Sequence, residues 1–302
     1  MAEKLDSNGS TPSVLTEKPV TAFSKEAFLS PDFNPKHINL IVQEGILLGG
    51  GAATILLQLA EPGVAQGVNQ HSNFAYRVTD RLRTTMTYVY CMSYGTPAEK
   101  KAVTDMVNKI HDSVTGTLDE GRDKGKPFHA NDPELQLWVA ATLYAMGVEV
   151  YKRIFGDIKD EYLHEKIYQE YSILACSLMV PPEMWPSTRK DFWEYWDRKV
   201  AGFEITAHAK AVADDLLYLR KAPLYLRIWM PSVRVVTADL LPPRLRREFG
   251  VNEHPYMYKF LQTLVRGTYR PLPLKIRSYP VRFYMKDMRK KLAQHQKIFA
   301  KA

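Results

Sequence analysis

Apolar residues in this chain recur at three- and four-residue spacing in run after run and almost nowhere alternate, the signature of amphipathic and buried helices. The strongest run begins near residue 38, as INLIVQEGILLGGGAATILLQLA. Asn34-Pro35 offers it a start, with proline at the first helical position, and Glu61-Pro62-Gly63 breaks it. A short helix over 64–70 and a longer one over 75–94 follow. Thr96, Pro97 and Glu99 then read as N-cap, first helical residue and an acid near the positive end of the helix dipole. Val103, Met106, Val107, Ile110 and Val114 carry that helix to Gly116.

Residues 117–130 are rich in Gly, Asp and Lys and read as a surface loop. Asn131-Asp132-Pro133-Glu134 opens LQLWVAATLYAMGVEVYKRIF, apolar on nearly every side and therefore central. Further helices are expected over 160–180, stopped by Pro181-Pro182, then over 188–201, 206–219 and 224–240, the last kinked at Pro231. Shorter ones cover 242–249 and 255–266, and a basic amphipathic helix closes the chain from about residue 281. With no strand alternation, internal repeat or heptads, the pattern predicts an all-α fold. It forms a single compact multi-helix domain over 34–302, preceded by a polar segment (1–33) that is a flexible arm or lies wrapped over the surface.

Composition adds limits. The chain has 302 residues, 45% apolar and 25% charged, which is material for a sizeable core. The run from residue 38 has nearly the length of a membrane span. It contains Gln43, Glu44 and three glycines, so it reads as a buried core helix. No signal-peptide apolar run opens the sequence, and Cys91 and Cys176 lie inside apolar patterns as core thiols rather than a disulfide. Nothing demands an oxidising compartment, and the expected location is cytoplasmic. The formal charge of +8 comes without zinc-finger spacing, an RNP-like motif or a phosphate loop, which argues against nucleic acid. A basic balance does suit an anionic partner, and the C-terminal helix could rest peripherally on an intracellular membrane.

A few polar residues stand out against the apolar runs. Gly49, Gly50 and Gly51 interrupt the first helix at about 1 kcal/mol each, so another backbone or a flat ligand should approach closely there, at Gly50 above all. Arg81 and Thr85, four apart, share a helix face that Tyr88 continues. An inward arginine needs an anion, from a ligand or from the protein itself. His111 at the edge of an apolar stripe is the best metal-ligand candidate, its plainer role being a hydrogen-bonded core-edge histidine. His71 sits between helices, where it would cap or brace a loop, and Glu61 is either a solvated residue or a buried acid. Glu161 and His164 have E-x-x-H spacing, but no second such pair exists and the flanks are charged. His129, His208 and His254 stand alone. Trp193, Trp196 and the run 224–230 offer apolar surface for a core or a greasy ligand.

GGGAATILLQLAEPGVAQGVNQHSNF, RLRTTMTYVYCMSYG, IHDSVTGT, NDPELQLWVAATL and VRVVTADLLPPRLRREFG occur in that order over about 40–249. This set resembles the family of latex clearing protein (rubber oxygenase) and the mpaB-type oxygenases. The resemblance implies an all-α fold that binds haem b, with its iron, and uses dioxygen. It makes His111 the axial iron ligand, Arg81 and Thr85 the polar pair facing the haem pocket, and His71 the family's histidine after the first Gly-rich helix. Three positions depart from the family pattern. Glu61 precedes Pro62 where many relatives carry histidine, Thr84 replaces an arginine or lysine, and Ala140 replaces a histidine. Loss of the basic residue at 84 would remove one distal iron ligand.

The expected function is a haem-dependent oxygenase acting on an apolar small molecule, a terpenoid or polyketide intermediate, with oxidative C=C cleavage as one outcome. In it Glu61 and His71 are candidates for proton handling, and Gly50 for close approach of the macrocycle. The alternatives are a haem-free cyclase or isomerase using Glu61, His71 and Arg81, and a non-catalytic carrier of a hydrophobic ligand. Oligomeric state is not legible in the sequence.

Overall fold

The chain enters its core early. A computed structural model describes residues 22–71, 74–220 and 222–299, apart from the side chains of 71–79 and 295–299. Helix α1 (Lys25–Leu29) is capped by the Ser24 hydroxyl, and its Phe28 is fully buried. This part of the N-terminal segment is therefore wrapped onto the protein, while residues 1–21 lie outside the described residues.

The apolar run that follows is broken, not continuous. It forms α2 (Asn39–Val42), a 3-10 turn (Gly45–Gly50) and α3 (Gly51–Leu59). Glu44 makes the break: its backbone is extended and its side chain is buried. Its carboxylate accepts from Arg277 Nη1 at 2.7 Å and from the Tyr269 hydroxyl at 3.0 Å. A buried carboxylate requires such partners, and reaching them takes precedence over helix continuity. The expected start at Pro35 moves too. The N–H groups of Lys36, His37 and Ile38 donate to the Glu170 carboxylate at 3.3, 2.7 and 2.8 Å, which satisfies donors that a helix start leaves open.

Helix α4 (Pro62–His71) departs from α3 at 107°. Ala53, Leu56 and Leu57 are fully buried, as a core helix requires, and among the described residues no single helix is long and apolar enough to cross a membrane. Helices α5 (Phe74–Tyr94) and α6 (Pro97–Asp112) meet at Thr96, whose side chain and that of Glu99 form a reciprocal capping box. Helix α6 ends four residues before Gly116. There β1 (Thr115–Thr117) pairs antiparallel with β2 (Pro127–His129), closing the predicted loop as a hairpin. Strands of three residues are too short to show alternation. Gly116 faces Phe128 so closely that a Cβ would lie 2.8 Å from the ring.

Helix α7 (Pro133–Phe155) starts at the Asp132 cap and runs through the centre. Trp138, Ala141, Tyr144 and Ala145 are fully buried along it, and Trp138 Nε1 donates to the Leu57 carbonyl at 2.9 Å. The stretch over 160–180 divides into α8 (Glu161–Tyr171) and α9 (Ile173–Cys176) at Ser172, whose hydroxyl donates back to the Gln169 carbonyl. Helices α10 (Arg189–Gly202) and α11 (Ala207–Tyr218) start where expected, capped by the side chains of Thr188 and Thr206. The chain over 224–240 is two helices, α12 (Leu224–Arg227) and α13 (Met230–Leu240), because Pro231 opens the second instead of kinking one. Helices α14 (Pro243–Glu248), α15 (Pro255–Tyr269), α16 (Leu274–Arg277) and α17 (Tyr279–Phe299) complete the fold.

The two ends of the sequence are tied together. Helix α17 packs along α5 through the Arg83–Asp287 ion pair and the Tyr90–Tyr284 ring contact, centroids 5.9 Å apart. Aromatic rings of Tyr144, Tyr168, Trp185, Phe192 and Trp196 fill the space around α7. Cys91 and Cys176 are free and buried, and burial pushes both thiols up to about 12. The fold is all-α apart from the one hairpin, as expected.

Candidate functional site

His111 lies in the last turn of α6, half-buried, against the first residues of α7. The buried Gln136 organises this corner. Its Oε1 accepts from the Met179 N–H at 2.8 Å, which fixes the amide orientation. Its Nε2 then donates to the Ala130 carbonyl at 3.1 Å and to Asn131 Oδ1 at 3.0 Å, and lies 3.4 Å from His111 Nδ1. Asn131 Nδ2 in turn donates to Asp112 Oδ1 at 2.7 Å. Three acceptors thus share the two amide hydrogens of Gln136, His111 Nδ1 being the most distant, and Asn131 favours the protonated ring. His111 Nε2 has no hydrogen-bond partner among the described residues.

The electrostatics favour a neutral ring. Burial holds the His111 pKa below its ordinary value; Asn131 opposes this, and the positive charge of Arg81 adds to it. The last contribution also locates Arg81, since it must lie near the imidazole to act on it. Arg81 is exposed, yet burial lowers its pKa as well. Thr84 and Thr85 follow on α5 and are exposed. Thr84 Oγ1 donates to the Asp80 carbonyl at 3.0 Å, while the Thr85 hydroxyl has no protein partner among the described residues. Ile110, beside His111, and Met179, held by Gln136, expose apolar side chains at the same corner. A neutral imidazole lone pair can bind a metal ion, and a crowded guanidinium can take a carboxylate.

The structure brings His111 and Arg81 together but sends other candidates elsewhere. Gly50 approaches Val150, whose Cγ2 would lie 2.7 Å from an added Cβ, so its space is taken by protein. Val150 is fourteen residues along α7 from Gln136, about 21 Å away by helix rise, which puts Gly50 at the far end of that helix from His111. Gly50 is a helix-packing glycine, remote from His111. Glu61 is neither free nor solvated: its Oε2 accepts from Lys199 Nζ at 2.7 Å on α10. Tyr88 is a core residue, its hydroxyl donating to the Leu174 carbonyl at 3.0 Å. His71 ends α4, and its side chain lies outside the described residues. Glu161 is ion-paired with Arg189, and among the described residues no group of three or more His, Cys, Asp or Glu could hold a metal ion by itself. A single axial histidine does not form such a group.

A family model described as "ER-bound oxygenase mpaB/B'/Rubber oxygenase, catalytic domain" matches residues 39–267. The chain belongs to this family. The mpaB/rubber oxygenase domain thus runs from α2 into α15 and includes Arg81, His111, Asn131 and Gln136; α16 and α17 lie beyond the match. Membership makes the protein an oxygenase-type catalytic domain in general terms. Two uncharacterised mycobacterial proteins, Mb2261 of Mycobacterium bovis and Rv2237 of Mycobacterium tuberculosis, are each similar to it. Each is 29% identical over 246 residues, covering 79% of this chain and 94% of theirs. No solved structure matches.

Asn131 and Gln136 were missed by sequence reasoning. Asn131 read only as part of a helix opening. Gln136 could have been noticed as an amide at a core position of an otherwise apolar helix, where a polar group requires a specific partner.

Proposed function

We propose that the protein is a haem b-dependent oxygenase acting on an apolar small molecule, such as a terpenoid or polyketide intermediate of natural-product biosynthesis. The observation that carries the reading is the His111 ring, held toward its neutral form by burial, with no hydrogen-bond partner on Nε2 among the described residues and with the Arg81 charge acting on it. The donor set suits haem: one imidazole for the iron, one guanidinium for a propionate, and apolar neighbours for the macrocycle. Haem b, when bound, supplies the iron on which dioxygen is activated.

The roles of the chain's own residues follow from their chemistry. His111 Nε2 would hold the iron, while Asn131 and Gln136 brace the ring from the other side. Arg81 would pair with a propionate or orient the substrate. The Thr85 hydroxyl would donate a hydrogen bond near the haem pocket. Thr84 spends its hydroxyl on the Asp80 carbonyl, so α5 offers no basic ligand at that position. The haem-free alternative draws on Glu61, whose pairing with Lys199 weighs against it.

Dioxygen uptake by the purified protein with isoprenoid substrates tests the proposal. Uptake coupled to an oxygenated product, and reduced in Arg81→Gln, supports it. Turnover of substrate without dioxygen consumption would overturn it in favour of a cyclase or isomerase.

A further inference from the structure

Helix α15 is apolar on two sides. Tyr258, Leu261, Val265 and Tyr269 form an inner, half-buried stripe toward the body of the protein. Tyr258 accepts from Arg153, and Gln262 donates to the Arg153 carbonyl. The outer side carries Tyr256, Met257, Phe260 and Leu264, spaced to form a second stripe, and all four are exposed, Tyr256 by 90%. No residue of α15 is fully buried.

A second group of exposed apolar residues adjoins this stripe. Helix α12 and the residues after it present Leu224, Tyr225, Ile228 and Trp229, each about 70% exposed. The groups lie on one side of the protein. Pro231 and Ser232, two and three residues after Trp229, share the lining of a cavity of about 860 Å³ with His254 and Met257 at the start of α15. Eight large exposed apolar side chains on these two stretches, Met257 among them lining the cavity, exceed the scattered apolar surface normal for a soluble protein.

Charge identifies what covers them. Residues 220–302 hold 19 Lys and Arg against four Asp and Glu, a net +15, while residues 1–219 hold 22 against 29, a net −7. The cations on these helices, Arg227, Lys259, Arg266 and Arg270, are exposed and have no ion pair among the described residues. The acids near the cavity are already engaged: Asp214 by Arg220, Glu248 by Arg244 and Glu253 by Arg246. A second copy of the chain on this face would bring like charges together. Trp and Tyr mixed with aliphatic residues and flanked by unpaired Lys and Arg match the interface of an anionic bilayer.

We propose that α12 and the outer stripe of α15 dock the protein peripherally on an anionic lipid bilayer. The aromatic and aliphatic side chains enter the headgroup region, and Arg227, Lys259, Arg266 and Arg270 meet lipid phosphates and carboxylates. The α11–α13–α15 cavity then lies beside the membrane. Docking is independent of whether haem is bound, so it stands or falls apart from the catalytic reading.

Co-sedimentation of the full chain with two kinds of vesicle tests it: phosphatidylcholine alone, and phosphatidylcholine with phosphatidylserine. Binding is expected on the second, weaker on the first, and reduced by added salt. The triple variant Trp229→Ser/Tyr256→Ser/Phe260→Ser should keep its helical circular dichroism and lose binding. Lys259→Glu/Arg266→Glu should keep its fold and lose at least about tenfold in apparent affinity for the anionic vesicles. Two results would overturn the proposal: a folded wild type that ignores anionic vesicles, or a triple variant that binds them like wild type. A concentration-dependent dimer in sedimentation velocity, abolished by the triple variant, would assign the face to self-association and also refute it.

Discussion

Replacing Gln136 by leucine removes the hub that connects α7 to His111. The side chain is 5% exposed and makes three hydrogen bonds of ordinary length, to the Met179 N–H, the Ala130 carbonyl and Asn131 Oδ1. Leucine fills a similar volume and strands those partners. Leaving a buried polar group unsatisfied costs about 1–3 kcal/mol. Met179 and Ala130 are near enough to the surface for water to replace part of the loss, so Gln136→Leu should cost about 2 kcal/mol. At about 2–4 °C per kcal/mol for a chain of this size, Tm should fall by about 4–8 °C. Gln136→Glu, which keeps the acceptor for Met179 but adds a negative charge near His111, should raise the imidazole pKa instead. Thermal unfolding followed by circular dichroism measures the first effect, and proton NMR of the His111 ring the second. A Gln136→Leu protein that melts within 1 °C of wild type would refute the assignment of Gln136 as the brace.

The remaining predictions concern the wider frame. Arg277→Met strands the Glu44 carboxylate and should destabilise by about 3–5 kcal/mol, read in a denaturant titration; Glu44→Leu combined with Arg277→Met should recover most of it. Gly50→Ala should cost about 1–3 kcal/mol because its Cβ meets Val150, and Val150→Ala in the same chain should relieve part of that loss. The His111 pKa, already below the ordinary value near 6.5, should rise in Arg81→Gln and fall further in Asn131→Leu, as NMR titration would show. Because the folded state resists protonating this ring, stability should fall as pH drops through about 6.5 and below. His164, also depressed by burial, adds to the same slope, so His111→Gln should flatten it only in part.

The sequence made some of this legible and hid the rest for physical reasons. Thr96 caps the helix expected of it, and the helices expected from about 131, 188 and 206 start at Asp132, Thr188 and Thr206, because capping is local chemistry. The breaks at Glu44 and Ser172 were invisible, because each depends on partners that only folding supplies: Arg277 lies 233 residues from Glu44. The Gly triplet signalled close approach correctly at Gly50 but gave no sign that the neighbour was Val150 rather than a ligand. His111 and Arg81 could be singled out by residue type and spacing. The action of the Arg81 charge on His111 and the Asn131–Gln136 brace are tertiary facts, with no periodicity of their own. The outer stripe of α15 is present in the sequence as Tyr256, Phe260 and Leu264, yet only the packing of the inner stripe shows that it is left uncovered.

The absorption spectrum of the purified protein, with pyridine treatment to count haem b, is the most direct test that His111 grips iron. A Soret band that disappears in His111→Ala, while helical circular dichroism is unchanged, is the expected result. A wild type that stays colourless and fails to shift the spectrum of added haemin, or a His111→Ala protein with the same band, would contradict it.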